Sequence, residues 1–251
     1  MTATTKQARN VSSVYPEVGA GGFTRTDGTV AFYTRVNALL RPDMTVLDFG
    51  AGRGAQLYDE VSPFRNELSK MQGKTKRLVG VDVDPAVLEN PFLDEKHVID
   101  PRAPLPFEAR SFDLIYADWV LEHVDTPENF VGEAYRVLKP GGWFCARTPN
   151  RWGMTGLGAN LIPNRLHNSF LNKLQPDREE CDIFPTTYKM NTLGRVRKYF
   201  NPSEWDNFSY THNPEPPYVQ RFKLLIHLAN LFFRLTPSGM ATDLHVFVRK
   251  R

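Results

Sequence analysis

The chain has 251 residues, 41% of them hydrophobic and 24% charged, which is enough to bury one sizeable core. Its formal net charge of +3 tolerates an anionic substrate or a membrane surface but falls short of a nucleic-acid footprint. Cys145 and Cys181 form no metal or redox spacing, the first ten residues lack an apolar leader core, and no run approaches the ~18 apolar residues of a membrane span, so a soluble cytoplasmic protein is expected.

Residues 1–28 are rich in Gly, Ser and Thr and read as a flexible lead-in to a single domain over 29–251. From Val30 to Leu40 the apolar residues follow helical spacing, and Pro42 ends that helix. TVLDF (45–49) is a short apolar strand, and 55–70 is largely helical with Pro63 interrupting it. Further strands follow at 78–82, 97–99 and 112–117, then a helix from Phe130 to Leu138 that stops at KPGG, and a strand at 143–148. Strands alternating with helices point to parallel βαβ units, an α/β Rossmann-like sheet with helices on both faces. Residues 150–190, rich in Asn, Pro and Gly, read as an irregular cap inserted after the fifth strand. A helix over Asn191–Phe200, an apolar helix over 222–235 and a strand at 244–248 complete the pattern.

The segment VLDFGAGRGA (46–55) runs from a strand through glycines 50, 52 and 54 into a helix. Glycine lets the backbone turn sharply and approach a ligand with no Cβ in the way, and a helix start presents free N–H groups. GAGRGA also satisfies the G-x-G-x-x-G/A pattern of dinucleotide folds, so NAD or FAD stays open on this motif alone. Asp82 ends the second strand, where a carboxylate can accept ribose hydroxyls. The candidate cofactor residues here are Asp48, Gly50, Ala51, Gly52, Asp82 and Val83.

The run from Val98 to Asn150 resembles class I S-adenosylmethionine-dependent methyltransferases, especially the group related to quinone-biosynthesis C- and O-methyltransferases. Asp100 with Leu105–Phe107, FDLI (112–115), LEHV (121–124) and LKPGG (138–142) carry the likeness. The resemblance covers roughly 45–150. It implies a seven-stranded sheet ending in an antiparallel hairpin, S-adenosylmethionine as cofactor, and an adenine contact for Asp100. Relatives often place small or polar residues where Asp118 and Trp119 stand, at the carboxyl end of the fourth strand; both are candidates for contact with the cofactor.

Methyl transfer from a sulfonium mainly requires donor and acceptor to be aligned, and a hydroxyl acceptor also requires a base. The candidate bases are His167 in the cap, His123 in LEHV and Asp118, of which His167 is preferred. Asp118 could offer a metal one oxygen, but no second and third ligands follow it, so a metal-independent site is expected. Arg151, Arg165 and Arg195, with Trp152, Phe170, Phe184 and Tyr188, could bind a polar acceptor. FPTTYKMNT after IPNRLH weakly resembles methyltransferases of surface-polysaccharide synthesis, which would imply a saccharide hydroxyl. A quinone- or lipid-type acceptor, a nicotinamide oxidoreductase and a non-catalytic binding scaffold are the competing readings. In 222–235 the polar Lys223, His227, Asn230 and Arg234 share one face of an otherwise apolar helix. Burial, a homodimer contact and docking on a membrane surface are all open for it.

Overall fold

The computed structural model describes residues 3–54, 62–153, 185–216 and 219–251. Six α-helices and eight strands are assigned among them. The helices are α1 (Ala3–Val14), α2 (Gly28–Leu39), α3 (Pro63–Ser69), α4 (Pro127–Val137), α5 (Leu193–Tyr199) and α6 (Lys223–Leu235). The strands are β1 (Thr45–Phe49), β2 (Arg77–Asp82), β3 (Glu95–Val98), β4 (Phe112–Asp118), β5 (Leu138–Pro149), β6 (Trp205–Asn207), β7 (Tyr210–His212) and β8 (Asp243–Lys250).

The strands form one sheet in the order β3-β2-β1-β4-β5-β8-β6, with β7 also on β8. Neighbours are parallel from β3 to β5, whereas β8 runs antiparallel to β5, and β6 and β7 run antiparallel to β8. The side chains of a strand alternate between its two faces, and here both faces are apolar because both are covered. Leu47, Ile115, Phe144 and Val246 pack with Val131 and Val196 on one side. Val46, Leu114, Tyr116 and Phe247 pack with Phe32 and Val36 on the other.

The Rossmann-like α/β expectation holds, with one refinement. The last position of the sheet is a strand in two pieces. β6 pairs with Val248–Lys250 and β7 with Asp243–His245. Between them the Phe247 N–H turns to the Ser209 hydroxyl at 3.2 Å. Eight short strands therefore occupy seven positions.

Pro63 opens α3: Ser62 caps it by accepting the Arg65 N–H, and a proline at the first helical position wastes no hydrogen bond. The stretch 55–61, expected to be helical before it, lies outside the described residues. One local expectation differs from the structure. Within the segment expected to be a flexible lead-in, α1 forms against α6. The Asn10 amide donates to the Gln220 and Arg221 carbonyls, and the Tyr15 hydroxyl bonds Asn230 at 2.8 Å. Helix formation there is supported by packing rather than local propensity. The following glycines dock on α3, whose Ser62 and Arg65 side chains donate to the Gly21 and Gly22 carbonyls.

Candidate active site

In open α/β sheets, ligands bind beyond the carboxyl ends of the strands, where the strand order reverses. Here that reversal lies between β1 and β4. Beyond β1 the chain turns through Gly50, Gly52 and Gly54, all at positive φ. At Gly50 a Cβ would stand 2.4 Å from Cγ2 of Val120, so the close approach demands glycine. At Gly52 a Cβ would meet nothing within 4 Å, which leaves open space above the turn.

The turn is bound to β2 by its own amides. The Gly50 and Ala51 N–H groups donate to the Val81 carbonyl at 2.8 and 3.1 Å. The Gly52 N–H donates to an Asp82 carboxylate oxygen at 2.8 Å, and the other oxygen of Asp82 accepts the Asp84 N–H. Asn90, which is buried, donates its side-chain amide to the Ala51 and Gly52 carbonyls. A pyrophosphate cradle needs free turn amides, and these three are already used.

Acids crowd the same rim. Asp48 is buried at the end of β1, accepts the Tyr116 hydroxyl at 2.7 Å, and has its pKa raised to about 7. Burial is the main cause, opposed by the Tyr116 bond and reinforced by the charges of Asp118 and Asp82. Val83 is exposed beside Asp82. The Ile99 N–H bonds the Asp82 carbonyl, so Asp100 stands one residue beyond this junction, exposed and accepting the Arg102 N–H. This acidic rim beside an open glycine suits a cationic nucleoside ligand.

Asp118 ends β4 facing Arg147 of β5. The guanidinium grips both carboxylate oxygens at 2.8 and 2.7 Å, and the Tyr33 hydroxyl adds a third bond at 3.1 Å. Burial opposes the Arg147 charge, but the charge and hydrogen bonds of Asp118 outweigh it and hold Arg147 protonated. Trp119 follows at φ 59°, a left-handed conformation unusual for a bulky residue. Its N–H donates to the Arg147 carbonyl at 2.9 Å, and its ring, 41% exposed, lies 5.0 Å from the guanidinium.

His123 lies on the loop after β4, with Nδ1 2.9 Å from the Pro185 carbonyl oxygen. Neighbouring bonds join the same segments, because Thr187 and Tyr188 donate their N–H groups to the Glu122 carbonyl. Glu122 is itself buried against the Thr148 hydroxyl, and burial raises its pKa to about 7. Arg151 and Trp152 are exposed past β5, and Arg195 is exposed on α5. His167, Arg165, Phe170, Phe184 and Cys181 lie outside the described residues.

The structure thus brings Asp48, Gly50, Ala51, Gly52, Asp82, Val83, Asp100, Asp118 and Trp119 to one end of the sheet. Sequence reasoning did not single out Asn90, Tyr116 or Arg147. Nothing in their local sequence marks them; each acts on a residue of a neighbouring strand or loop.

The fold is a Rossmann-like domain with a candidate cofactor rim at the carboxyl ends of its strands, and comparison with known proteins supplies the family. Residues 47–146 match the family model described as a methyltransferase domain. A "Probable S-adenosylmethionine-dependent methyltransferase" of Mycolicibacterium smegmatis is 34% identical over 128 residues, 49% of this chain and 44% of that protein. Cycloartenol-C-24-methyltransferase of Arabidopsis thaliana is 32% identical over 210 residues, 80% of this chain and 56% of that protein. The chain spans about half the length of these curated relatives. Among solved structures, an S-adenosylmethionine-dependent methyltransferase from Mesorhizobium loti shares the fold, with a TM-score of 0.52, 17% identity, and coverage of 87% of this chain and 97% of that one. The chain carries a class I S-adenosylmethionine-dependent methyltransferase domain, and S-adenosylmethionine is the cofactor of that domain.

Proposed function

We propose that the whole chain transfers a methyl group from S-adenosylmethionine to a small-molecule acceptor that enters over the carboxyl ends of β4 and β5. The observation that carries this reading is the acidic rim of Asp48, Asp82 and Asp100 beside the open Gly52, where the Gly50, Ala51 and Gly52 amides are already bonded. The bound cofactor supplies an activated methyl carbon on a sulfonium. Asp82 would accept the ribose hydroxyls, Asp100 would face the adenine, and Trp119 would close one side.

A hydroxyl acceptor would also need its proton taken by a base of this chain as the methyl group is transferred. Asp118, with three donors on its two oxygens, is placed to anchor Arg147. His167 therefore keeps the role of base in this reading, with His123 as the alternative. His167→Ala should cut turnover by roughly a hundred- to ten-thousand-fold while leaving cofactor affinity nearly intact. Near-full turnover with no titration between about pH 5 and 8 would exclude it.

A second reading, a quinone- or lipid-type acceptor in place of a saccharide, is favoured by the exposed leucine face of α6. The segment after that helix is tied to the end of β5, where the Asn150 amide donates to the Gly239 and Ala241 carbonyls. Transfer of labelled methyl groups to a saccharide panel and to a quinone and lipid panel separates the two. For the cofactor half, Asp82→Ala should weaken S-adenosylhomocysteine binding by about 1–3 kcal/mol in calorimetry, and unchanged affinity would remove Asp82 from the site.

A further inference from the structure

Helix α6 turns only one side toward the protein. Ile226 and Ala229 are buried, and Asn230 and Phe233 half-buried, an i, i+3, i+4, i+7 set that marks the inner face. Leu224, Leu228, Leu231 and Leu235, an i, i+4, i+7, i+11 row, occupy the opposite face, exposed by 69%, 52%, 51% and 75%. Leu225 and Phe232 widen this apolar face on one flank. Lys223, His227 and Arg234 line the other flank, also exposed. Helix α1 is already seated beside α6 and leaves the leucines uncovered. No Asp or Glu stands between Glu215 and Asp243, whereas Arg221, Lys223 and Arg234 lie in that interval. The helix is about 20 Å long, too short to cross a bilayer but suited to lie in its surface.

We propose that the outer face of α6 docks on an anionic lipid surface, with the leucine row entering the acyl boundary and the cationic flank meeting the headgroups. Charge selects this occupant over a second copy of the chain. An antiparallel contact between two such faces would set Lys223, His227 and Arg234 near their own counterparts with no acid on the helix to pair them. On an anionic bilayer the same cations gain partners. The Asn150 tie holds the end of this segment at the rim where the acceptor is proposed to enter. The docking itself does not depend on methyl transfer.

The test is co-sedimentation of the full chain with vesicles of phosphatidylcholine alone and of phosphatidylcholine mixed with phosphatidylglycerol, without cofactor or acceptor. The protein should pellet with the mixed vesicles and stay in the supernatant with the neutral ones. Leu228→Glu with Leu231→Glu should abolish pelleting at unchanged helical circular dichroism; Leu228→Gln with Leu231→Gln serves if the first pair fails to fold. Lys223→Ala and Arg234→Ala should each weaken binding about fivefold. Equal pelleting with both vesicle types would overturn the anionic assignment. A protein that ignores both would overturn docking, pointing to a second copy if light scattering shows a dimer that the leucine substitutions split, and to cover from within the chain if it is monomeric. Either failure leaves the methyl-transfer reading standing, because labelled-methyl assays in solution read that separately.

Discussion

Asp48 sits where burial and a hydroxyl donor act in opposite directions on one carboxyl group. Burial wins, and its pKa stands at about 7 against a reference of 3.8. An acid with a raised folded-state value contributes stability that is complete below the unfolded pKa and lost as pH rises through the folded one. The stability gained by Asp48→Asn over the wild type should therefore grow between pH 3.8 and about 7, read from thermal melts of the protein without cofactor. Binding of a cationic cofactor favours the ionised form, so wild-type affinity for S-adenosylmethionine should rise through the same window. In Asp48→Asn that rise should flatten. An equal pH dependence in both proteins would separate Asp48 from the cofactor.

Arg147 holds the other half of the rim together. With its side chain 7% exposed and that of Asp118 16% exposed, the pair is largely withdrawn from water. Arg147→Met would strand a buried carboxylate and should cost about 3–5 kcal/mol in denaturant unfolding. Adding Asp118→Asn to it should recover part of that loss. A single variant as stable as the wild type would show that the pair carries no structural weight. Trp119, whose left-handed backbone leans on the Arg147 carbonyl and guanidinium, should report the change as a shift in fluorescence.

At the scale of elements, the glycine turn divides its duties between adjacent glycines. Gly50 has positive φ and Val120 in the way of any Cβ; Gly52 has positive φ and open space. Gly52→Ala should cost only the left-handed strain of about 1–2 kcal/mol while its new methyl group intrudes where the cofactor is proposed to lie. Gly50→Ala adds steric overlap and should melt lower. The expected pattern is a folded Gly52→Ala that fails to bind S-adenosylhomocysteine, beside a clearly destabilised Gly50→Ala. Calorimetry showing undiminished binding to Gly52→Ala would move the cofactor away from the turn.

The strands and this turn were legible in the sequence because parallel strands covered on both faces read as unbroken apolar runs, and glycines after such a run leave few alternatives. The acids at the strand ends were legible by position. Asn90, Tyr116 and Arg147 were not, because β1 lies between β2 and β4, an order the chain does not show. Asp118 could be read as base or metal ligand only while Arg147, on the next strand, was unassigned to it. Helix α1 was missed because its partner, α6, lies two hundred residues away in sequence. Pro63 reads alike as a breaker or as a first helical residue until Ser62 is seen to cap α3.

At the scale of the whole molecule, the parallel half of the sheet presents the candidate cofactor residues, and Pro185, Thr187 and Tyr188 bond the loop that follows β4 at the same end. Among the described residues no group of three His, Cys, Asp or Glu side chains could hold a metal, and no helix is long and apolar enough to cross a membrane. Activity should survive exhaustive chelation; loss that magnesium restores would contradict the metal-independent mechanism. Whether this rim holds an S-adenosyl ligand or a dinucleotide is decided by titration calorimetry of the wild-type chain with S-adenosylhomocysteine and, separately, with NADH. Saturable binding of S-adenosylhomocysteine and none of NADH is the expected result. NADH binding with no heat from S-adenosylhomocysteine would contradict it.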